Sequence, residues 1–138
     1  MCGIAGYISF NQKNDFSKKK IIEAMLDVTV HRGPDEKKYL FGKNYAFGTN
    51  RLAIQKIKKG QQPIDDGRFI LGFNGEIFNY ETLKKNIIDQ NVIESEIELI
   101  LYLYKKYGSD FVYKLKGQFA IYIYDKFNNK ISLFRDRF

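Results

Sequence analysis

The chain has 138 residues, 44% of them hydrophobic and 28% charged, with a formal net charge of +7. That length suits one domain of ordinary size, and that balance excludes a disordered chain. No apolar run approaches the ~20 residues of a bilayer-crossing helix, and Met1-Cys2-Gly3-Ile4-Ala5-Gly6-Tyr7 has no basic leader, so neither a membrane span nor a secretion signal is expected.

In chain order, residues 3–10 read as a strand entered directly from the N-terminus. Ser17 caps a helix whose buried face carries Ile21, Ile22, Met25 and Leu26. The run His31-Arg32-Gly33-Pro34-Asp35 makes a turn, because glycine and proline together stop the helix. Strands follow at 37–41 and 45–50, joined at Gly42-Lys43-Asn44. A looser stretch through Gly60-Gln61-Gln62-Pro63 leads to an Asp65-Asp66-Gly67 turn and a strand at 68–73 that ends at Asn74-Gly75-Glu76. Asn79 is read as the cap of a short helix reaching about Ile88. Ser95 and Glu98 have capping-box spacing, and Ile97, Ile100, Leu101 and Tyr104 form the apolar face of the next helix until Gly108 stops it. Ser109 caps a further short helix ending at Gly117, and strands at 119–125 and 130–135 form a hairpin around Phe127-Asn128-Asn129. Hairpins and helices in grouped runs, without regular βαβ units, point to an α+β layered fold. The residues stop at Phe138, directly after Arg135-Asp136-Arg137 and without a polar tail, which suggests a fragment.

The positive charge is spread along the chain. Its densest groups are Lys18-Lys19-Lys20 at a helix start and Lys56, Lys58 and Lys59 in a loop. A solvated surface accounts for both better than a phosphate-binding footprint, so no nucleic-acid partner is expected, and a reducing, cytoplasmic setting is the default. There is one cysteine, Cys2, and one histidine, His31, which excludes an intrachain disulfide and leaves a zinc site dependent on carboxylates. Cys2 has two readings. As a small apolar residue at a strand start it simply packs. If Met1 is removed, Cys2 carries a free α-amine that titrates close to its own thiol, and one residue supplies both nucleophile and base.

Six motifs then fall in order: Met1-Cys2-Gly3-Ile4-Ala5-Gly6, Arg32-Gly33-Pro34-Asp35, Arg51-Leu52-Ala53-Ile54, Gln62-Pro63-Ile64, Phe73-Asn74-Gly75-Glu76-Ile77-Phe78-Asn79-Tyr80 and Leu115-Lys116-Gly117-Gln118-Phe119-Ala120, followed by Arg135-Asp136-Arg137-Phe138. Together they resemble the class II glutamine amidotransferases, N-terminal-nucleophile hydrolases, and within them the glutamine-hydrolysing asparagine synthetase branch. The resemblance spans the whole chain. It implies one glutaminase domain over residues 1–138 starting at Cys2, with the four-layer α/β/β/α sandwich of that hydrolase type, truncated at its C-terminus so that a sheet edge is left exposed. It also implies hydrolysis of L-glutamine to glutamate and ammonia through a Cys2 thioester.

By the same resemblance the Asn74 side-chain amide and the Gly75 N–H form the oxyanion hole, although Asn-Gly is also the favoured pair of an ordinary hairpin turn. Arg51 takes the glutamine carboxylate, a role that its planar fork suits; the plain alternative is a solvent-facing arginine at a strand end. Leu52, Ala53, Ile54 and Gln55 extend that binding segment. Glu76 takes the α-ammonium. Glu96, where the family usually has aspartate, joins it with one methylene more, or else serves as a first-turn acid at the helix N-terminus. Gly48-Thr49-Asn50-Arg51 stands where the family commonly shows Gly-His-x-Arg. His31 is read as structural. The hydrolysis needs no metal or organic cofactor. ATP and Mg²⁺ belong to a C-terminal synthetase domain, normally in the same chain and absent here, that amidates aspartate; a sugar or peptide carboxylate is the alternative acceptor. A homodimer is within the family's range. A catalytically silent homologue that only binds is the remaining alternative.

Overall fold

A computed structural model describes residues 2–10, 17–52, 60–87 and 93–137. The chain divides into two compact units, Met1–Gln55 and Lys56–Phe138. Both mix helices with antiparallel sheet, the α+β content read from the motif order.

The first unit holds β1 (Gly3–Ile8), α1 (Lys18–Asp27), a 3₁₀ turn (Val30–Arg32), β2 (Glu36–Phe41) and β3 (Tyr45–Arg51). The sheet order is β1-β3-β2, antiparallel throughout, with Gly3 opposite Asn50 and Glu36 opposite Arg51. Alternation along β3 sends Ala46, Gly48 and Asn50 to one face, and α1 lays Ile22 and Leu26 against that face. The helix sits close because Gly48 has no side chain: a Cβ there would lie 2.6 Å from Leu26 Cδ1. Ser17 does cap α1, accepting from the Lys20 N–H at 3.4 Å. Met25, expected on the buried face, is exposed instead, since Ile22 and Leu26 already span the narrow stripe the sheet covers.

The second unit holds β4 (Ile64–Asp65), β5 (Phe69–Ile77), α2 (Tyr80–Lys85), α3 (Glu96–Tyr107), a 3₁₀ stretch (Gly108–Lys114), β6 (Gly117–Asp125) and β7 (Lys130–Arg135). Its antiparallel sheet runs β4-β5-β6-β7. Phe69, Leu71, Phe73 and Ile77 of β5 join Phe119, Ile121 and Ile123 of β6 in a core completed by α3 through Ile97, Leu99, Ile100, Leu101 and Leu103. Edge-to-face rings close it at one end, with Tyr104 5.3 Å from Phe69 and Phe111 4.9 Å from Phe134. The hairpin turn is held by Asp125, whose carboxylate accepts from the Phe127 and Asn128 N–H groups and from Arg68.

Three expectations change here. β5 does not end at Asn74-Gly75; it runs on to Ile77, because β6 begins at Gly117 opposite Ile77 and keeps the ladder going. Asn79 stands at the start of α2 but makes no cap bond. Its amide instead bridges to β6's approach, donating to Lys114 O and accepting from Lys116 N–H, each at 2.9 Å. The segment after α3 is not a helix capped by Ser109 but a 3₁₀ stretch that starts at Gly108 itself. α2 ends at Lys85, and Ile88 lies outside the described residues.

Candidate functional site

In the first unit, one step beyond the last β1–β3 pair stand Cys2 on one side and Arg51 on the other. Cys2 is half-buried and its thiol is free. Its carbonyl accepts from Arg32 Nε at 3.4 Å, which ties the residue to the turn that carries Arg32-Gly33-Pro34-Asp35. That turn is pressed onto β3. A Cβ on Gly33 would lie 2.4 Å from the Asn50 carbonyl oxygen, and the Asp35 N–H donates to the Arg51 carbonyl at 3.1 Å.

Arg51 is buried rather than solvent-facing, and its Nη1 stands 3.3 Å from Glu36 Oε2 on the neighbouring strand. A guanidinium has five N–H donors in a planar fork, a geometry suited to carboxylates. The departure at Gly48-Thr49-Asn50 is buried too. Asn50 Nδ2 donates to Leu26 O at 2.5 Å and to Thr29 Oγ1 at 3.0 Å, fastening the end of α1 to the strand before Arg51. His31 is exposed on the 3₁₀ turn. Leu52 is half-buried, while Ala53, Ile54 and Gln55 lie outside the described residues.

In the second unit, Asn74, Gly75 and Glu76 are consecutive near the end of β5, and Glu96 opens α3. Gly75 has φ 147°, a region glycine enters without strain, and a Cβ there would meet Gln118 O at 2.0 Å. The position therefore requires glycine. Asn74 is half-buried, with its Oδ1 buried and unpartnered among the described residues, so the acceptor end of its amide is not used by the fold there.

Glu96 Oε1 accepts from the Ile77 N–H at 2.5 Å, which brings its carboxylate to the strand end that bears Glu76. Burial pushes the Glu96 carboxyl up; the Ile77 N–H opposes this, and the negative Glu76 adds to it. Two carboxylates, one of them desolvated, make a place that favours a cation. Beside it, Glu98 accepts from the Glu94 and Ser95 N–H groups, the glutamate half of the capping box that Ser95 opens.

The structure thus brings Cys2 and Arg51 together within one unit, and Asn74, Gly75, Glu76 and Glu96 within the other. Arg32, Glu36 and Gln62 make contacts with these residues or their strands, and sequence reasoning assigned none of the three a part. The motifs Arg32-Gly33-Pro34-Asp35 and Gln62-Pro63-Ile64 were the signal for two of them. Glu36 left no such signal, since its role comes from standing opposite Arg51 in the sheet.

A family model described as a glutamine amidotransferase domain matches residues 1–138. The chain is 38% identical to asparagine synthetase (glutamine-hydrolysing) 2 of Bacillus subtilis, covering 100% of this chain and 19% of that protein. It is 32% identical to asparagine synthetase (glutamine-hydrolysing) 1 of the same organism, with 100% and 23% covered. It is also 31% identical to amidase chry2 of Gibberella zeae, again over 100% and 23%. The chain spans about a quarter or less of the length of these three relatives. With one model accounting for every residue from 1 to 138, the chain belongs to the glutamine amidotransferase domain family.

Proposed function

We propose that this domain hydrolyses L-glutamine to glutamate and ammonia, with Cys2 as the nucleophile. The observation that carries the reading is the Asn74-Gly75 pair, a half-buried amide beside a glycine held at φ 147°, within a chain matched throughout by the glutamine amidotransferase domain. The reading takes the domain to be one functional body over residues 1–138, built on the four-layer α/β/β/α sandwich and starting at Cys2 after loss of Met1. A thiolate nucleophile suits a reducing compartment such as the cytoplasm.

In this mechanism the Cys2 α-amine takes the thiol proton, directly or through a water, and the thiolate attacks the glutamine side-chain carbonyl. The Asn74 Nδ2–H and the Gly75 N–H donate to the oxyanion, each worth ~10²–10³ in rate. The protonated amine returns its proton to the leaving nitrogen and ammonia departs. Water then opens the Cys2 thioester to give glutamate. Arg51 receives the α-carboxylate in a two-pronged contact, and Glu76 and Glu96 receive the α-ammonium. Leu52, Ala53, Ile54 and Gln55 complete the binding segment. The hydrolysis uses no metal or organic cofactor.

The ammonia would serve an ATP- and Mg²⁺-dependent amidation, with aspartate the first acceptor to test because two of the relatives above are named asparagine synthetases. A sugar or peptide carboxylate is the alternative acceptor. The test is glutamate release from L-glutamine by the purified chain, with mass spectrometry confirming Met1 loss, beside Cys2→Ala. Release that disappears in Cys2→Ala is expected. A folded, Met1-free chain that releases no glutamate would leave the binding-only homologue as the better reading.

A further inference from the structure

Residues on β6 whose N–H and C=O face β7 cannot also face β5. Phe119 is one of them: its carbonyl accepts from the Asp136 N–H at 3.0 Å and its N–H donates to Asp136 Oδ2 at 2.7 Å. Gly75 stands opposite Phe119, so its own N–H points away from β6, toward the outer edge of β5. The same alternation sends the N–H groups of Phe73 and Ile77 to that edge. β4 covers the edge only at Ile70 and Leu71, and beyond them side chains take over. The Phe73 N–H donates to Gln62 Oε1 at 2.7 Å, and the Ile77 N–H donates to Glu96 Oε1 at 2.5 Å. Gly75 lies between these two capped groups.

We propose that Gln62 is a positioning residue for the oxyanion donors, its side-chain amide standing in for the missing strand partner so that Asn74-Gly75 stays extended with the Gly75 N–H left open among the described residues of that edge. Gln62 is buried at 7% exposure and packs beside β5 as a fixed acceptor, not a surface side chain. Without it the Phe73 N–H is a buried orphan, and the strand shifts to find water or another acceptor. Such a shift moves Asn74 and the Gly75 N–H from the developing oxyanion, and a displacement of about 1 Å there costs on the order of 10²-fold in rate. This inference deepens the glutaminase reading and rests on it for its kinetic part, while its structural part stands apart from it.

The experiment compares the full chain with Gln62→Met, which keeps length but has no amide acceptor, and with Gln62→Glu, which keeps an acceptor oxygen. In Gln62→Met kcat falls roughly 10- to 100-fold with KM for glutamine within about twofold. The affinity for glutamate γ-semialdehyde, an aldehyde that becomes a tetrahedral thiohemiacetal on Cys2, falls by the same factor. Gln62→Glu recovers part of both. A structural role alone would lower the amount of active protein and leave the aldehyde's inhibition constant unchanged. Amide hydrogen exchange is the second measurement. Slow exchange at Phe73 and Ile77 with fast exchange at Gly75, and loss of protection at Phe73 in Gln62→Met, are expected. A protected Gly75 N–H, or a Gln62→Met chain with normal kcat and aldehyde affinity, overturns the proposal. A wild-type chain with that exchange pattern but no glutamate release defeats the glutaminase reading and leaves the strand-capping role of Gln62 standing.

Discussion

Glu96 shows how one residue's environment sets two opposed demands. Its carboxyl is pushed up chiefly by burial, against the pull of the Ile77 N–H, with the Glu76 charge adding to the rise. A folded-state value above the ordinary 4.5 means that the folded chain keeps a proton the unfolded chain has released. The stability from this group is therefore complete below about pH 4.5 and declines as pH rises through the raised value. At pH 7, above the ordinary 4.5, the group is a net cost to folding, which a cationic ligand would offset. Glu96→Gln is predicted to raise the thermal midpoint at pH 7 and to flatten this part of the pH profile. In the same variant KM for glutamine should rise roughly 10- to 100-fold, the loss of a charge-assisted bond. Calorimetry between pH 4 and 8 with glutaminase kinetics checks both; a lower midpoint at pH 7 would refute the account. The burial behind this was not visible in the letters Ser95-Glu96-Ile97-Glu98, which read either as an ammonium ligand by resemblance or as a helix N-terminus.

Among the elements, β5 is the one on which the site depends, and its far end is fastened by a side chain. The Asn79 amide spans Lys114 O and Lys116 N–H, and the Phe78 N–H donates to Lys116 O at 2.7 Å. These bonds bring β6 into register so that Gly117 and Gly75 can permit close strand contact. Asn79→Ala removes two hydrogen bonds and is predicted to cost about 1–2 kcal/mol, with the denaturant slope unchanged in urea titration. Asn79→Asp, which loses the donor to Lys114 O but keeps the acceptor, should fall between. The motif Phe78-Asn79-Tyr80 announced a helix start correctly, and α2 does begin at Tyr80. Propensity could not say that the cap residue's side chain is used across the unit, because its partners lie 35 and 37 positions away. Helix α3 was the most legible element, since capping residues, apolar spacing and Gly108 are all local. Leu99 and Leu103 were not read as buried because the helix is covered over a wider face than one stripe.

At the scale of the whole molecule, the net charge of +7 is spread along the sequence, and several cations of the described residues are engaged in ion pairs. Lys37, Lys105 and Lys126 pair with Asp27, Asp66 and Asp65, and Arg51 and Arg68 pair with Glu36 and Asp125. Retention on double-stranded DNA is accordingly predicted to be weak and lost between 50 and 200 mM salt, without preference for sequence. A sequence-specific complex surviving physiological salt in a fluorescence-anisotropy titration would reopen the nucleic-acid reading. Among the described residues no helix is long and apolar enough to cross a membrane. The two compact units share one family match, and the strand count of each follows from turns that the sequence marks plainly: Gly42-Lys43-Asn44 in the first, Asp65-Asp66-Gly67 and Phe127-Asn128-Asn129 in the second.

The order of motifs and the mixed α+β content were readable from residue types and spacing, because each depends on local chemistry or on a short run of letters; Cys2 also stood out by its position, while Arg51, Asn74, Gly75, Glu76 and Glu96 became candidates through the family resemblance that the motif order carries. Register was not. That Arg51 is buried against Glu36, that β5 continues through Gly75, and that Gln62 and Glu96 cap the N–H groups on either side of it follow from which strand lies beside which. A sheet places residues in contact by pairing and alternation, over separations of 11 to 19 positions in these last two bonds, and such neighbours leave no periodic trace in a single chain of letters.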